Sequence, residues 1–258
     1  MIGREPSEIW RDSLQDGRRR LGRSAKVLAA TGLLGGFHIA FGLIALVVTT
    51  GALSTLMPSY PAHVLGSLTF GIGLVFVTVG RSELFTENFL IPVAAALSGH
   101  CTKRAVARLW AITLVLNFAG LAVIVSLATI SGVLESESLL AAGDLADTLV
   151  ERDTLAAFAS AVLAGAIITT FTWLAEAAES DLTRVFIALL VGFVLLAPST
   201  NHSVVGFGEV LFGIMAGTTS ADGVDLIRNT ALAIVGNVAG GVLLIAFVRS
   251  VQAGAGRT

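Results

Sequence analysis

The feature that most constrains this chain is a series of six long apolar runs, two of which are too long to cross a bilayer only once. The runs lie near residues 27–50, 61–98, 106–131, 154–177, 183–217 and 226–249. One helical crossing of the hydrocarbon core needs about 20 residues. The runs 61–98 and 183–217 exceed that length, and polar or helix-breaking residues interrupt each near its middle. The pattern predicts an all-α integral membrane protein of six transmembrane helices, with the second and fifth helices broken.

Composition supports lipid as the solvent of this chain. The 258 residues are 55% hydrophobic and 13% charged, and soluble domains cannot cover that much apolar surface with polar groups. The net charge of -2 argues against a nucleic-acid partner, because such proteins need a concentrated basic face. The single Cys101 permits no intrachain disulfide and shows no metal-ligand spacing. We therefore expect no metal and no cofactor.

Basic residues predict the orientation, because Lys and Arg near span ends are retained on the cytoplasmic side. They precede the first span, follow the second and fourth, and close the chain: Arg4, Arg11, Arg18, Arg19, Arg20, Arg23, Lys26, Lys103, Arg104, Arg108, Arg184, Arg249 and Arg257. On the opposite face Arg152 is the one basic loop residue. The acidic loop 132–153 can form a hairpin or a short surface helix, and we predict a solvated surface there. We expect cytoplasmic tails at 1–26 and 250–258, on either side of a single transmembrane domain at 27–249.

The order of the runs predicts an internal repeat. Spans one to three and spans four to six each have an interrupted segment in second place. Three spans is an odd number, so the two halves must be inverted relative to each other. Paired broken helices in inverted repeats point to a transport site near the bilayer midplane. Unwound backbone at that depth is tolerated only where it is buried in protein or lines a water-filled cavity, which predicts a transport pathway at the two breaks.

Four short motifs at these places resemble the formate/nitrite transporter family. In chain order they are Phe70-Gly71-Ile72-Gly73-Leu74, Leu84-Phe85-Thr86, His202-Ser203 and Gly236-Asn237. The resemblance implies an aquaporin-like six-helix protomer in a homopentamer, each protomer with its own pore, in a bacterial or archaeal cytoplasmic membrane. It also implies that small monovalent anions, such as formate or nitrite, and protons are the transported partners.

The same resemblance implies roles for residues at the breaks. Phe70 and Leu74 match constriction positions. Phe85 and Thr86 match the first break loop, and His202 matches the central histidine of the pore.

Other positions match the family less closely. Asn237 is pore-adjacent by resemblance, and Arg184 lies where several members have a lysine. Asn201 stands where many members have Glu before the histidine, and Gly206 where they have Asn after it. The segment 83–88 resembles a less characterised branch of the family.

The chemistry of the break residues suits an anion pathway. A histidine has an unperturbed pKa of about 6.5, so His202 can donate a hydrogen bond when neutral and share a proton near physiological pH. Thr86 and Ser203 can add hydroxyl donors. Apolar collars formed by Phe70, Leu74, Phe85 and Phe207 would exclude hydrated ions and favour a weak acid in its protonated form. We therefore expect an anion to be protonated at or near His202 and to cross as the neutral acid. Simpler roles remain open from the sequence alone: His202 can bond loose carbonyls, Thr86 can cap a half-helix, and the Phe positions can be core.

Charged residues in the first break predict a structural ion-pair cluster. Arg81, Glu83 and Glu87 are costly at membrane depth unless they are paired. A neutral-solute channel and an enzyme are the two other functions to compare with anion transport. A channel for water or small neutral solutes remains the alternative, although the Asn-Pro-Ala segments typical of such channels are absent. An enzyme is not expected, because neither a His-Glu-x-x-His motif nor a nucleophile elbow is present.

Overall fold

A computed structural model describes residues 3–99 and 101–254, and every regular element in those ranges is a helix. In chain order the elements are α1 (Pro6–Leu21), α2 (Ala25–Ser54), α3 (Ser59–Val79), a 3₁₀ turn (Thr86–Phe89), α4 (Ile91–Leu97), α5 (Lys103–Ala128), α6 (Ser136–Val150), α7 (Thr154–Ala177), α8 (Asp181–Leu196), α9 (Ser203–Ala216), α10 (Gly223–Val238), a π-helical segment (Ala239–Ala246) and α11 (Phe247–Gln252). Arg257 and the end of the predicted tail 250–258 lie outside the described residues.

Five of the described helices are long and apolar enough to cross a membrane. They are Ala25–Ser54, Ser59–Val79, Lys103–Ala128, Thr154–Ala177 and Gly223–Gln252. Two shorter apolar helices, Thr86–Leu97 and Ser203–Ala216, follow the places where α3 and α8 end. Helices satisfy their backbone hydrogen bonds internally, which lipid cannot do for them. The prediction of an all-helical, multi-pass membrane protein is confirmed.

Small residues bring the long helices close together. A Cβ added at Gly36 of α2 would lie 2.9 Å from the Cα of Gly120 on α5. A Cβ added at Gly192 of α8 would lie 2.4 Å from the Cα of Gly71 on α3. Neither site has room for a side chain, so glycine permits backbone contact between these helices. The α3–α8 contact sets the spacing of the two helices that lead into the breaks.

The predicted cytoplasmic tail 1–26 contains a helix that is packed against the rest of the chain. Pro6 occupies the first position of α1, where its fixed backbone angle suits a helix start. Ile9 and Trp10 are buried against α4 and α7. Gly17 approaches α4 so closely that an added Cβ would lie 2.5 Å from the carbonyl oxygen of Ile91. α1 is therefore part of the helical domain.

The acidic loop 132–153 also contains a helix with one buried face. α6 buries Ala142, Ala146 and Leu149 and packs along α9. Asp144 remains exposed on its other face. The prediction of a solvated surface holds for the acidic face of α6 and was wrong for its apolar face.

Candidate functional site

The first break connects α3 to the 3₁₀ turn. Gly80 ends α3, and Arg81 adopts a left-handed backbone conformation with φ of 53°. That conformation is uncommon for a residue with a Cβ and turns the chain sharply. The N–H of Glu83 then donates to the carbonyl oxygen of Thr31 on α2, at 3.2 Å. The break is thereby attached to the first long helix, and Thr86 begins the 3₁₀ turn.

The second break connects α8 to α9 and has the same left-handed feature. Ser199 has φ of 49°. Ser199 and Arg81 are the two non-glycine residues with positive φ in the described part of the chain. The N–H of Thr200 donates to the carbonyl oxygen of Leu195 at 3.3 Å. His202 is the N-cap of α9, so the free amide groups of that helix start at the break.

A buried asparagine on α5 holds the first break. The side chain of Asn117 accepts a hydrogen bond from the N–H of Phe85 at 2.9 Å. Its amide nitrogen donates to the carbonyl oxygens of Gly32 and Glu83, at 2.7 and 2.9 Å. The Phe85 N–H and the Glu83 carbonyl, which lie in the break outside any regular helix, thus find partners in one side chain, and the bond to Gly32 attaches that side chain to α2.

A second asparagine holds the second break in the same way. The side chain of Asn237 on α10 accepts from the N–H of Ser203 at 2.8 Å. Its amide nitrogen donates to the carbonyl oxygens of Ala161 and Asn201, at 2.8 and 3.0 Å. Asn237, which the resemblance places beside the pore, therefore supports the loop that carries His202.

The two breaks meet at a hydrogen bond between His202 and Thr86. The Nε2 atom of His202 lies 2.9 Å from the Thr86 hydroxyl, and both residues are buried. The N–H of Val205 donates to Nδ1 of the same ring at 3.1 Å. Because Nδ1 accepts, it carries no hydrogen, and the neutral ring has its hydrogen on Nε2. His202 therefore donates to Thr86.

Two cavities lie at opposite ends of α3. The first, which we call the α6-side cavity, has a volume of about 450 Å³ and is lined by Thr50, Ser59, Tyr60, His63, Ala141, Asp144, Leu145, Thr148, Arg152, Ala197, Pro198 and Ser199. The second, the α1-side cavity, has a volume of about 560 Å³ and is lined by Asp16, Arg19, Arg20, Arg23, Val77, Thr78, Val79, Arg81, Ser82, Glu83, Glu87, Phe171, Thr172, Ala175, Glu176, Asp181 and Arg184.

The predicted constriction residues lie in the buried stretch between these cavities. His63 lines one cavity and Val77 the other, which is about 21 Å along α3 at 1.5 Å per residue. Phe70 and Leu74 lie between them and are 0% and 1% exposed. His202 caps α9, which begins at the second break.

Two of the predicted collar residues pack against other aromatic rings. Phe85 meets Phe89 and Trp110 edge-on, with ring centroids 5.0 and 5.9 Å apart. Phe207 stacks on Phe118 of α5 at 4.0 Å. Both contacts are typical of core packing. Phe85 shares one hydrophobic cluster with Phe70 and Leu74, and Phe207 packs against that cluster.

The remaining predicted residues occupy separate places. Ser203 is buried, and its hydroxyl has no hydrogen-bond partner among the described residues. The Asn201 and Asn229 side chains exchange hydrogen bonds of 2.8 and 3.2 Å, which ties the second break to α10. Arg184 lines the α1-side cavity and donates to the carbonyl oxygen of Ala178 at 2.8 Å. Its guanidinium therefore lies at the mouth of that cavity, away from the buried stretch.

The predicted ion-pair cluster was wrong in its partners. Glu83 pairs with Arg23 at 2.8 Å and with Arg20 at 3.5 Å, and both arginines come from the α1 region. Across residues 3–99 and 101–254, neither Arg81 nor Glu87 has an ion pair within 4.0 Å. The physical reason is that α1 brings two guanidinium groups to Glu83, while the left-handed turn directs Arg81 outward, where it is exposed.

Residues on the α6 side were missed as site residues. Arg152 donates to the carbonyl oxygen of Ser199 at 2.7 Å and to the Ser160 hydroxyl at 2.9 Å. The sequence did contain a signal for Arg152, because it is the one basic residue in the loops of its face. Near it, partial burial and the charge of Asp147 raise the pKa of the Asp144 carboxyl above its ordinary range. No group of three His, Cys, Asp or Glu that could hold a metal occurs in the described ranges.

Comparisons with known proteins agree with this geometry. The family model described as formate/nitrite transporter matches residues 7–251. The chain is similar to "Inner membrane protein YfdC" of Escherichia coli (strain K12), at 25% identity over 92% of this chain and 76% of that protein. It is also similar to "Formate channel FocA" of the same strain, at 27% identity over 70% of this chain and 64% of that protein.

Solved structures show the same fold. A structure described as "FNT family ion channel" has a TM-score of 0.80 at 19% identity, and the alignment covers 93% of this chain and 97% of that one. One described as "Pentameric formate channel with formate bound" has a TM-score of 0.73 at 20% identity, over 88% of this chain and 96% of its own.

Proposed function

The chain belongs to the formate/nitrite transporter family, and from that membership we propose that it passes small monovalent anions, such as formate or nitrite, across the cytoplasmic membrane. The observation that carries the proposal is the hydrogen bond between His202 and Thr86. That bond joins the two breaks: Thr86 precedes Glu87, which lines the α1-side cavity, and His202 lies three positions after Ser199, which lines the α6-side cavity. Selective pores combine a narrow apolar passage with a few aimed polar groups.

The polar groups at the breaks can replace the water that an anion loses. We propose that the substrate takes the place of the Thr86 oxygen as the acceptor of the Nε2–H of His202, while the Thr86 hydroxyl turns to donate to it. The first amide groups of α9 add partial positive charge at the same place. Phe70 and Leu74 form the apolar collar beside them. A small, compact anion is the kind of solute these groups suit.

The proton that accompanies the anion is constrained by the same geometry. His202 can accept a second proton only if the hydrogen bond from Val205 to Nδ1 opens. We therefore propose that His202 acts as a neutral donor that holds the anion, and that the anion is protonated near it rather than by it. The solute then crosses the apolar collar as a neutral weak acid.

The proposed architecture has six spans in two inverted repeats. α8 and α9 together supply the fifth span, and the second span, formed by α3 and the segment Thr86–Leu97, is its counterpart. Each pair has a left-handed residue at its break and an asparagine that bonds two carbonyls and one N–H. The parallel supports the repeat. We also propose cytoplasmic termini, from the basic residues, and a homopentamer, because a similar solved structure is described as pentameric.

The experiment that tests this function is uptake of labelled formate into proteoliposomes, with nitrite and glycerol as competitors. Flux would be compared at about pH 5.5 and about pH 7.5, on either side of the ordinary histidine pKa. We expect formate flux that nitrite inhibits and glycerol does not. In His202→Phe we expect at least about a tenfold loss, because one lost hydrogen bond to a charged group changes a rate by that order.

His38→Asn is the matched control. His38 bonds the Ser82 hydroxyl at 2.9 Å, outside the buried stretch, and asparagine can keep that bond. The control should transport formate like the wild type. Flux of glycerol without formate would support the alternative, a channel for neutral solutes. Unchanged formate flux in His202→Phe would remove the histidine from the pathway.

A further inference from the structure

Glu87 is a buried carboxyl group that the proposed mechanism does not yet use. It is 8% exposed, and its recorded hydrogen bond, from the N–H of Leu84, is long at 3.4 Å. Glu83 has two arginine partners, whereas Glu87 has no ion pair within 4.0 Å among the described residues. An unpaired charge at membrane depth is expensive, and such residues usually serve a transport function.

The position of Glu87 links the α1-side cavity to the buried stretch. Its side chain lines that cavity, so water there can exchange protons with it. The residue before it in the 3₁₀ turn is Thr86, whose hydroxyl bonds His202. Glu87 therefore borders the cavity from which an anion would approach Thr86 and His202.

The charged surroundings of Glu87 are only partly compensating. Arg20, Glu83 and Glu176 act on it electrostatically. The other charged groups that line the cavity are Asp16, Arg19, Arg23, Arg81, Asp181 and Arg184. Arg20 and Arg23 are engaged by Glu83, Arg19 by Asp16, and Arg184 by Asp181. Glu87 and Glu176 are thus the carboxyl groups of the cavity that have no ion pair.

An ionised Glu87 would oppose the proposed function. Two like charges about 4 Å apart, at the effective dielectric constant usual near protein surfaces, repel each other enough to lower occupancy about a thousandfold. The neutral form of Glu87 removes that barrier. An anion can then enter only together with a proton.

We propose that Glu87 is the proton-exchange residue of this pathway. Its protonated form admits the anion, and the O–H bond of Glu87 breaks as an O–H bond forms on an oxygen of the anion. The products are a neutral weak acid, which crosses the apolar collar, and the Glu87 carboxylate, which regains a proton from water in the α1-side cavity. The reverse steps serve the opposite direction. One proton crosses with each anion, and this inference rests on the proposed function.

The test measures protons and formate together. Proteoliposomes that contain a pH-sensitive dye receive labelled formate, and the ratio of protons to formate is determined after subtraction of protein-free liposomes. We expect a ratio near one for wild type, Glu87→Asp and the control Glu179→Gln, which changes an exposed carboxyl that does not line the cavity. In Glu87→Gln we expect the ratio to fall at least about fivefold and an anion current to appear, because the fixed negative charge is gone.

The outcomes separate this inference from the function on which it rests. If wild type moves neither formate nor nitrite, the proposed function fails. If wild type transports and Glu87→Gln keeps a ratio near one, this inference alone is overturned, and Glu87 is structural. A second measurement needs no variant: an apolar carbodiimide, which reacts with protonated carboxyl groups, should modify Glu87 in wild type in a peptide map, less so as pH rises. Absence of that product at every pH would also overturn the inference.

Discussion

At the scale of the residue, the two asparagines that hold the breaks make the sharpest stability prediction. Asn237→Leu preserves volume but removes the partners of the Ser203 N–H and of the Asn201 carbonyl oxygen, and it breaks the bond to the Ala161 carbonyl within α7. Each buried backbone group left without a partner costs about 1–3 kcal/mol. We expect a loss of about 2–4 kcal/mol, seen as a lower Tm in thermal unfolding of the purified protein in detergent.

Asn117, the counterpart of Asn237 in the first break, allows the same stability measurement. Asn117→Leu should cost a similar amount, because Asn117 bonds one N–H and two carbonyls in the first break. Ser126→Ala, at an exposed hydroxyl on the same helix, should leave Tm unchanged. An Asn237→Leu protein that melts with the wild type would mean that water or another group satisfies the break.

The importance of His202 was predictable from its residue type, because an ionisable side chain within a membrane usually serves a function. The family resemblance added Thr86, and the structure brings the two side chains to 2.9 Å. It did not identify the partner of Glu83. Arg23 is 60 positions away along the chain, and no local pattern reports a pairing at that separation. The prediction that Arg81 pairs with Glu83 and Glu87 rested on their closeness along the chain. The left-handed turn at Arg81 makes that closeness a poor guide to pairing.

At the scale of the element, α1 is the helix whose attachment can be tested most directly. An added Cβ at Gly17 would lie 2.5 Å from the carbonyl oxygen of Ile91 and 2.9 Å from the Cβ of Ala95. Gly17→Ala should therefore push α1 away from α4. Trypsin should then cleave at Arg18 to Arg20 faster than in wild type, by about tenfold if the shift costs about 1.4 kcal/mol.

Gly22→Ala is the control for that experiment. Gly22 ends α1, and a Cβ there would lie 3.4 Å from the carbonyl oxygen of Arg18, an ordinary contact. Its cleavage should match the wild type. Equal cleavage in Gly17→Ala would show that α4 or α1 adjusts without detachment.

Elements were predictable where apolar length was the signal. The long runs yielded the spans, because only a helix can bury some 20 apolar residues in lipid. α1 was missed, and so was the buried face of α6, since each helix buries a single face and polar residues dominate its sequence. Phe85 and Phe207 belong to a set of apolar positions at helical spacing. That spacing does not reveal which side chains of other helices the two rings contact. The structure sets them against Trp110 and Phe118.

At the scale of the whole molecule, charge is divided between the two ends of the helical domain. Basic residues surround the α1-side cavity and the loop before α5, while acidic residues such as Asp144 and Asp147 lie on α6. If basic loops stay in the cytoplasm, the α1-side cavity faces the cell interior. The proton exchanged at Glu87 then comes from the cytoplasm.

The single cysteine makes that orientation measurable. Cys101 lies just before α5, on the basic side, and is partly exposed. We expect a membrane-impermeant maleimide to modify it only after the membrane is permeabilised. In a Cys101→Ser background, Glu137→Cys, at an exposed position in the first turn of α6, should react in intact cells. The opposite labelling pattern would mean that the orientation in the membrane is reversed. The α1-side cavity would then face outward, and Glu87 would exchange its proton with the medium instead of the cytoplasm.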